Sequence, residues 1–173
     1  SELNQRKALN QQVEALVEAR TLESKQISNF SEMLQACQSI AEASDVVRQT
    51  ALHLFKANPG ALYYQQQDQM TLLTSWNQVK SASHCNNEDC WAVRRGKLHT
   101  LSRDSTSLPC RHLSDKVEAA LCVPLFAKGD VVGFYHLQAP DKLPEYQAAS
   151  WLKQHTDLAI TMAEHIALAL ANI

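Results

Sequence analysis

The sequence has no apolar run of membrane-spanning length and no signal-peptide pattern, so none of these residues is expected to cross or enter a bilayer. It has no surplus of basic charge: 16 Lys and Arg against 18 Asp and Glu leave a net charge of -2, which gives no electrostatic footprint for nucleic acid. Internal repeats and low-complexity segments are absent. The cysteines number five, an odd count that argues against a disulfide framework and for reduced thiols or a metal site. What is present is a chain of 173 residues, 45% hydrophobic and 20% charged, enough for one packed domain with a helical extension.

Residues 1–40 read as one long helix. Leu9, Val13, Leu16, Arg20, Glu23, Ile27, Phe30, Leu34 and Cys37 recur at spacings of four and three, the a/d seam of a coiled coil. Arg20 and Glu23 are polar on that seam, a device that fixes register at some cost in stability. The pattern predicts a signalling helix or coiled coil over 1–27 and a globular domain over 28–173, with Ile27 onward turning onto the core. A second helix, capped at Ser44 or Asp45, carries Val47, Ala51, Leu54 and Phe55 inward and stops at Asn58-Pro59-Gly60. Ala61–Gln66 and Met70–Trp76 form one expected hairpin, Ala119–Phe126 and Val131–Ala139 another. Residues 77–118 between them read as an irregular insert with one short helix near Asp89–Arg95. Pro144 opens a last helix with an apolar stripe from Trp151 to Leu170. The fold class expected is α+β: a mainly antiparallel sheet of five or six strands with helices on one face.

Thiols and imidazoles gather in the insert. Cys85, Cys90, Cys110 and His112 together offer the thiolate and imidazole donors that suit zinc or another thiolate-bound metal, and four such ligands close a tetrahedral site. The pairs Cys-x4-Cys and Cys-x-His are looser than the usual metal knuckle, so Cys90 also reads as a small buried hydrophobe and Cys85 and Cys110 as loop residues. A third reading pairs two insert cysteines on oxidation. Cys122 alternates with Leu121 and Val123 in an apolar strand and reads as core or pocket wall. Arg94 and Arg95 end the short helix, either as dipole compensation or as an anion clamp.

Four stretches carry a family resemblance: Gly60–Tyr64; Asp89-Cys90-Trp91-Ala92-Val93-Arg94-Arg95-Gly96 with His99; Leu121-Cys122-Val123-Pro124-Leu125 with Gly129 and Gly133; and Ala163–Asn172. Together they resemble a GAF domain of a bacterial signalling protein, of the subgroup found ahead of GGDEF (diguanylate cyclase) domains. The resemblance implies a non-enzymatic sensory module. It would bind a small ligand or cofactor between sheet and insert, at candidate residues Trp91, Arg94, Arg95, His99 and Cys122. The state of that pocket would pass along helices of a homodimer, paired through its N- and C-terminal helices, to an output domain such as one for cyclic di-GMP synthesis. Both ends read as cuts within a longer, cytoplasmic protein, with any inner-membrane anchor of the parent outside this stretch. Bilin and haem are disfavoured, since Arg111 separates Cys110 from His112 where bilin-binding relatives have the pair adjacent. The cyclic-nucleotide signature of other GAF domains is missing around Asp141–Trp151. Two rival functions stand beside the sensor: a thiol enzyme similar to free methionine-(R)-sulfoxide reductases, and an empty dimerisation spacer.

Overall fold

A computed structural model describes residues 1–173. The first helix, α1 (Glu2–Ala36), opens on Ser1, whose hydroxyl accepts from the Asn4 N–H. It runs unbroken through residue 27, and its first buried side chains are Phe30 and Leu34. It does not continue to residue 40. Cys37 is extended, and Ser39 caps a new helix, α2 (Ile40–Leu54), by accepting from the Glu42 N–H. The Glu42 carboxylate reaches back to the Gln38 N–H, so the break follows the Ser-x-x-Glu logic of a capping box. Ser44, expected as the cap, instead lies inside α2 and donates to the Ile40 carbonyl.

Six strands follow: β1 (Gly60–Gln66), β2 (Gln69–Trp76), β3 (His84–Asn86), β4 (His99–Ser102), β5 (Ala119–Ala127) and β6 (Asp130–Gln138). They form one sheet in the order β3-β2-β1-β6-β5-β4, with every neighbouring pair antiparallel. Both expected hairpins are present. Lys128 and Gly129, both at positive φ, turn β5 into β6, as a tight hairpin of right-twisted strands requires. The insert is less irregular than its composition suggests. It holds β3, a 3-10 turn over Asn87–Asp89, the five-residue helix α3 (Trp91–Arg95) and β4. A 3-10 turn over Glu145–Gln147 leads into α4 (Ala148–Ala171).

Side chains alternate across a strand, and here the alternation separates two cores. Leu62, Leu121, Val123, Leu125, Tyr135 and Leu137 face the helices, packing with Phe30, Leu34, Val47, Ala51, Met162 and Ile166. The intervening Ala61, Tyr63, Ala120, Cys122 and Phe134 face the insert, packing with Cys90, Cys110, Leu113 and Val117. The sheet thus has helices on one face and the insert on the other. Gly133 sits on β6 beside β1: a Cβ there would run into the Tyr63 carbonyl oxygen and crowd Leu125. Gly133→Ala is therefore expected to lower stability by about 1–3 kcal/mol in a urea melt, the usual range for overpacking. Gly129→Ala, whose Cβ meets nothing, tests only the cost of its positive φ.

Candidate functional site: a buried three-cysteine, one-histidine centre

The floor of the site is the central strand pair. Cys122 on β5 projects to the insert face, directly across from His136 on β6. The insert supplies the other ligands by folding its two halves together. Asp89 caps its own turn by accepting from the Asn86 N–H, and its carbonyl receives the Arg111 N–H at 3.0 Å. The Trp91 indole donates to the Pro109 carbonyl, and His99 Nε2 lies 2.6 Å from the Leu108 carbonyl. Residues 108–111 are thereby fastened to α3, and Cys110 arrives beside Cys90.

The result is a tight group: the ligand atoms of Cys90, Cys110, His112 and Cys122 all lie within 4.8 Å of one another. Cys110 Sγ is 3.8 Å from Cys122 Sγ and 4.0 Å from Cys90 Sγ, while His112 Nε2 is 3.5 Å from Cys122 Sγ. The three thiols are at most 2% exposed and His112 is half-buried. The Trp91 backbone N–H, at the start of α3, donates to Cys110 Sγ at 3.2 Å. Hydrogen bonding with Cys122 and Cys90, with His112 and Trp91 adding to it, lowers the Cys110 thiol below its ordinary range. The hydrogen bond with Cys110 pushes Cys90 up to about 12, and hydrogen bonding with Cys110 and Cys90, together with complete burial, raises Cys122. The three thiols are close enough to titrate as a unit. His112 Nδ1 is buried with no hydrogen-bond partner, and its ring lies 5.1 Å from those of Phe134 and His136.

Of the four residues expected as ligands, Cys90, Cys110 and His112 meet, and Cys85 is not in the group. Cys85 sits on β3 opposite Met70, where burial pushes its thiol up to about 12. Cys122, expected as pocket wall, takes its place. The signal was the parity of β5: in Ala120-Leu121-Cys122-Val123 the small residues alternate with the large ones, so Cys122 shares a face with Ala120 and not with the helix-facing Leu121 and Val123. The remaining candidates lie outside the group. Arg94 and Arg95 are exposed in the last turn of α3, before the left-handed Gly96, and the Arg94 guanidinium lies 4.3 Å over the Trp91 ring. His99 borders that pair, its ring 6.2 Å from Trp91. The centre of the space between sheet and insert is packed by Tyr63, Met70, Phe134 and Leu113, and a cavity of about 330 Å³ remains at its edge, between residues 78–80, residues 114–117 and Gln138. A larger groove of about 680 Å³ lies on the helix face, between α4, the β5–β6 end and insert residues 96–98, with Val123, Phe126, Ala163 and Leu168 in its walls.

His136 is fully buried beside this centre, and desolvation, followed by the neighbouring His112, lowers its pKa to about 3. The native state therefore refuses a proton that the unfolded chain accepts near pH 6.5. Stability is lost as pH falls from about 6.5 toward 3, and His136 contributes no pH dependence above that window. His136→Gln is expected to flatten the acid arm of the stability profile while leaving the pH 7–8 region level.

The architecture is a six-stranded antiparallel sheet between terminal helices and a structured insert. The family model for the GAF domain matches residues 39–170, and the chain belongs to that family. Among solved structures it is similar to the GAF domain of an Acinetobacter phosphoenolpyruvate-protein phosphotransferase, at 15% identity and a TM-score of 0.64, covering 87% of this chain and 93% of that one. It is similar to the free methionine-R-sulfoxide reductase of Neisseria meningitidis, at 12% identity and TM-score 0.61 over 88% of this chain and 93% of that one. The GAF domain of a Coxiella burnetii phosphoenolpyruvate-protein phosphotransferase gives 13% identity and 0.62 over 87% and 93%. At these identities the likeness is one of fold. No curated protein matches the chain. None of its helices is long and apolar enough to cross a membrane.

Proposed function

We propose that this GAF domain is a non-catalytic sensory module whose Cys90, Cys110, His112 and Cys122 bind one soft divalent cation of the zinc type. The observation that carries the reading is the size of the ligand group. Zinc–sulfur bonds of about 2.3 Å and zinc–nitrogen bonds of about 2.0 Å in a tetrahedron give edges of about 3.8 Å between sulfurs and about 3.5 Å between sulfur and nitrogen. Three of the six edges here are 3.8, 4.0 and 3.5 Å, and all six are within 4.8 Å. Four protein ligands leave no open position for substrate, which favours a closed binding site over a catalytic one. A thiol enzyme would need room for its substrate beside Cys110, and Leu113, Phe134 and Val117 pack around the thiols instead.

Binding would tie the insert to β5, whose opposite face packs on α4. The helices α1 and α4 would pass that state, within a homodimer, to a neighbouring output domain. Cyclic di-GMP synthesis is the output suggested by the Cys90–Gly96 sequence. Titration of the metal-free protein with cobalt(II) tests the site directly: thiolate-to-cobalt absorption saturating at one equivalent, and displaced by zinc, is expected. A protein that takes up neither ion would remove this reading.

A further inference from the structure

We infer that Cys110 is also an oxidation site, at which hydrogen peroxide forms a disulfide to Cys90 or Cys122, and that this crosslink and the bound cation exclude one another. The exclusion rests on the metal reading above; the crosslink does not. Cys110 is within reach of both other thiols: its Sγ lies 4.0 Å from that of Cys90 and 3.8 Å from that of Cys122. It lies between β4 and β5 outside any helix or strand, whereas Cys122 is held in the central ladder and the Cys90 carbonyl receives the first turn of α3. A disulfide needs its sulfurs about 2.05 Å apart, so the sulfur of Cys110 has to approach a neighbour by about 2 Å.

The step balances with peroxide as the only co-reactant. The Cys110 thiolate attacks the O–O bond, leaving a sulfenic acid on Cys110 and a hydroxide that is protonated to water. The neighbouring thiol sulfur then attacks that sulfenic sulfur; the S–S bond forms, the S–O bond breaks, and the departing hydroxide takes the thiol proton as a second water. Two thiols lose two hydrogens and one peroxide becomes two waters. A disulfide sulfur is no longer a thiolate ligand, so two of four donors vanish. Conversely, a cation on Cys110 draws charge from the sulfur and lowers its nucleophilicity toward the peroxide. With the thiols at most 2% exposed, the oxidant must be small.

The test treats the full chain, metal-free and zinc-loaded, with hydrogen peroxide, and follows intact mass, crosslink mapping and zinc release. In the metal-free protein a loss of two hydrogens is expected, with Cys110 in the mapped bridge. The zinc-loaded protein should react at least tenfold more slowly and release one zinc per disulfide. Cys110→Ser should abolish the crosslink, whereas Cys90→Ser and Cys122→Ser should each retain one; cumene hydroperoxide, being bulky, should react far more slowly. A bridge that omits Cys110, or zinc bound with no crosslink in either form, overturns the inference, and the second result leaves the metal reading standing. A crosslink in a protein that binds no zinc overturns the exclusion and the metal reading together.

Discussion

Cys110→Ser is expected to leave the protein without zinc and to melt it well below the parent, while Cys85→Ser keeps its zinc. The two residues separate the observed centre from the one that sequence spacing suggests, because only Cys110 belongs to the group of four. A cation present at a thousandfold excess over its dissociation constant stabilises the folded state by about 4 kcal/mol. For a chain of this size, each kcal/mol moves the melting temperature by about 2–4 °C, so the loss amounts to roughly 8–16 °C. The same variant should speed hydrogen exchange across the Cys90–Arg95 turn and residues 103–118, since the metal would join both segments to β5. Cys37→Ser is the control: that thiol donates to the Met33 carbonyl at the end of α1, far from the centre in the sequence. Acidification should reproduce the ligand loss, because thiolates must be deprotonated to bind. Equal zinc content in the Cys110→Ser variant and its parent would end the assignment.

The elements that bury a face were legible from the sequence. The two long hairpins and α4 follow from apolar runs whose period matches strand or helix, and they are where expected to within a residue or two of each strand end. Short polar elements were not. His84–Asn86 and His99–Ser102 are edge strands of three and four residues, defined by pairing to neighbours already in place and not by their own pattern. The break between α1 and α2 falls at Cys37–Ser39 and not after residue 40, because Leu34 and Cys37 carry the heptad spacing up to the junction, while the deciding contact is the cap at Ser39. The site was half legible. Cys90, Cys110 and His112 could be grouped by chemistry alone. The fourth ligand comes from the sheet. Cys85 and Cys122 both pack in the insert-facing core, but Cys85 lies on the edge strand β3, four strands away from β5, which carries Cys122. That strand order is a property of the whole sheet and not of the local spacing.

Deleting residues 1–27 is expected to convert a dimer into a monomer without unfolding the domain. The first side chains of α1 to be buried are Phe30 and Leu34, beyond the deletion, so the core stays intact. Upstream, Leu9, Val13 and Leu16 are 50–61% exposed on one seam, with Val17 and Leu22 close by. A lone helix with that stripe has no partner within its own chain, and isolated helices owe most of their stability to such a partner. At the other end, Leu168 and Ile173 of the α4 terminus are exposed beside the α1–α2 junction, around a hollow lined by Leu34, Cys37 and His165, so the pairing surface can continue there. Light scattering at tens of micromolar separates the states. Because truncation also shortens a helix, Val13→Glu with Leu16→Glu offers a subtler test: α1 keeps its length, the seam gains like charges, and the dimer dissociation constant should rise at least 100-fold, about 2.7 kcal/mol. The polar seam positions give the opposite sign. Arg20→Leu removes a residue that costs stability at a core position, so it should tighten association and loosen the register that Arg20 enforces. If the intact chain is monomeric and Arg20→Leu leaves it so, α1 is not a dimer seam, and its exposed stripe has to be matched to a different partner.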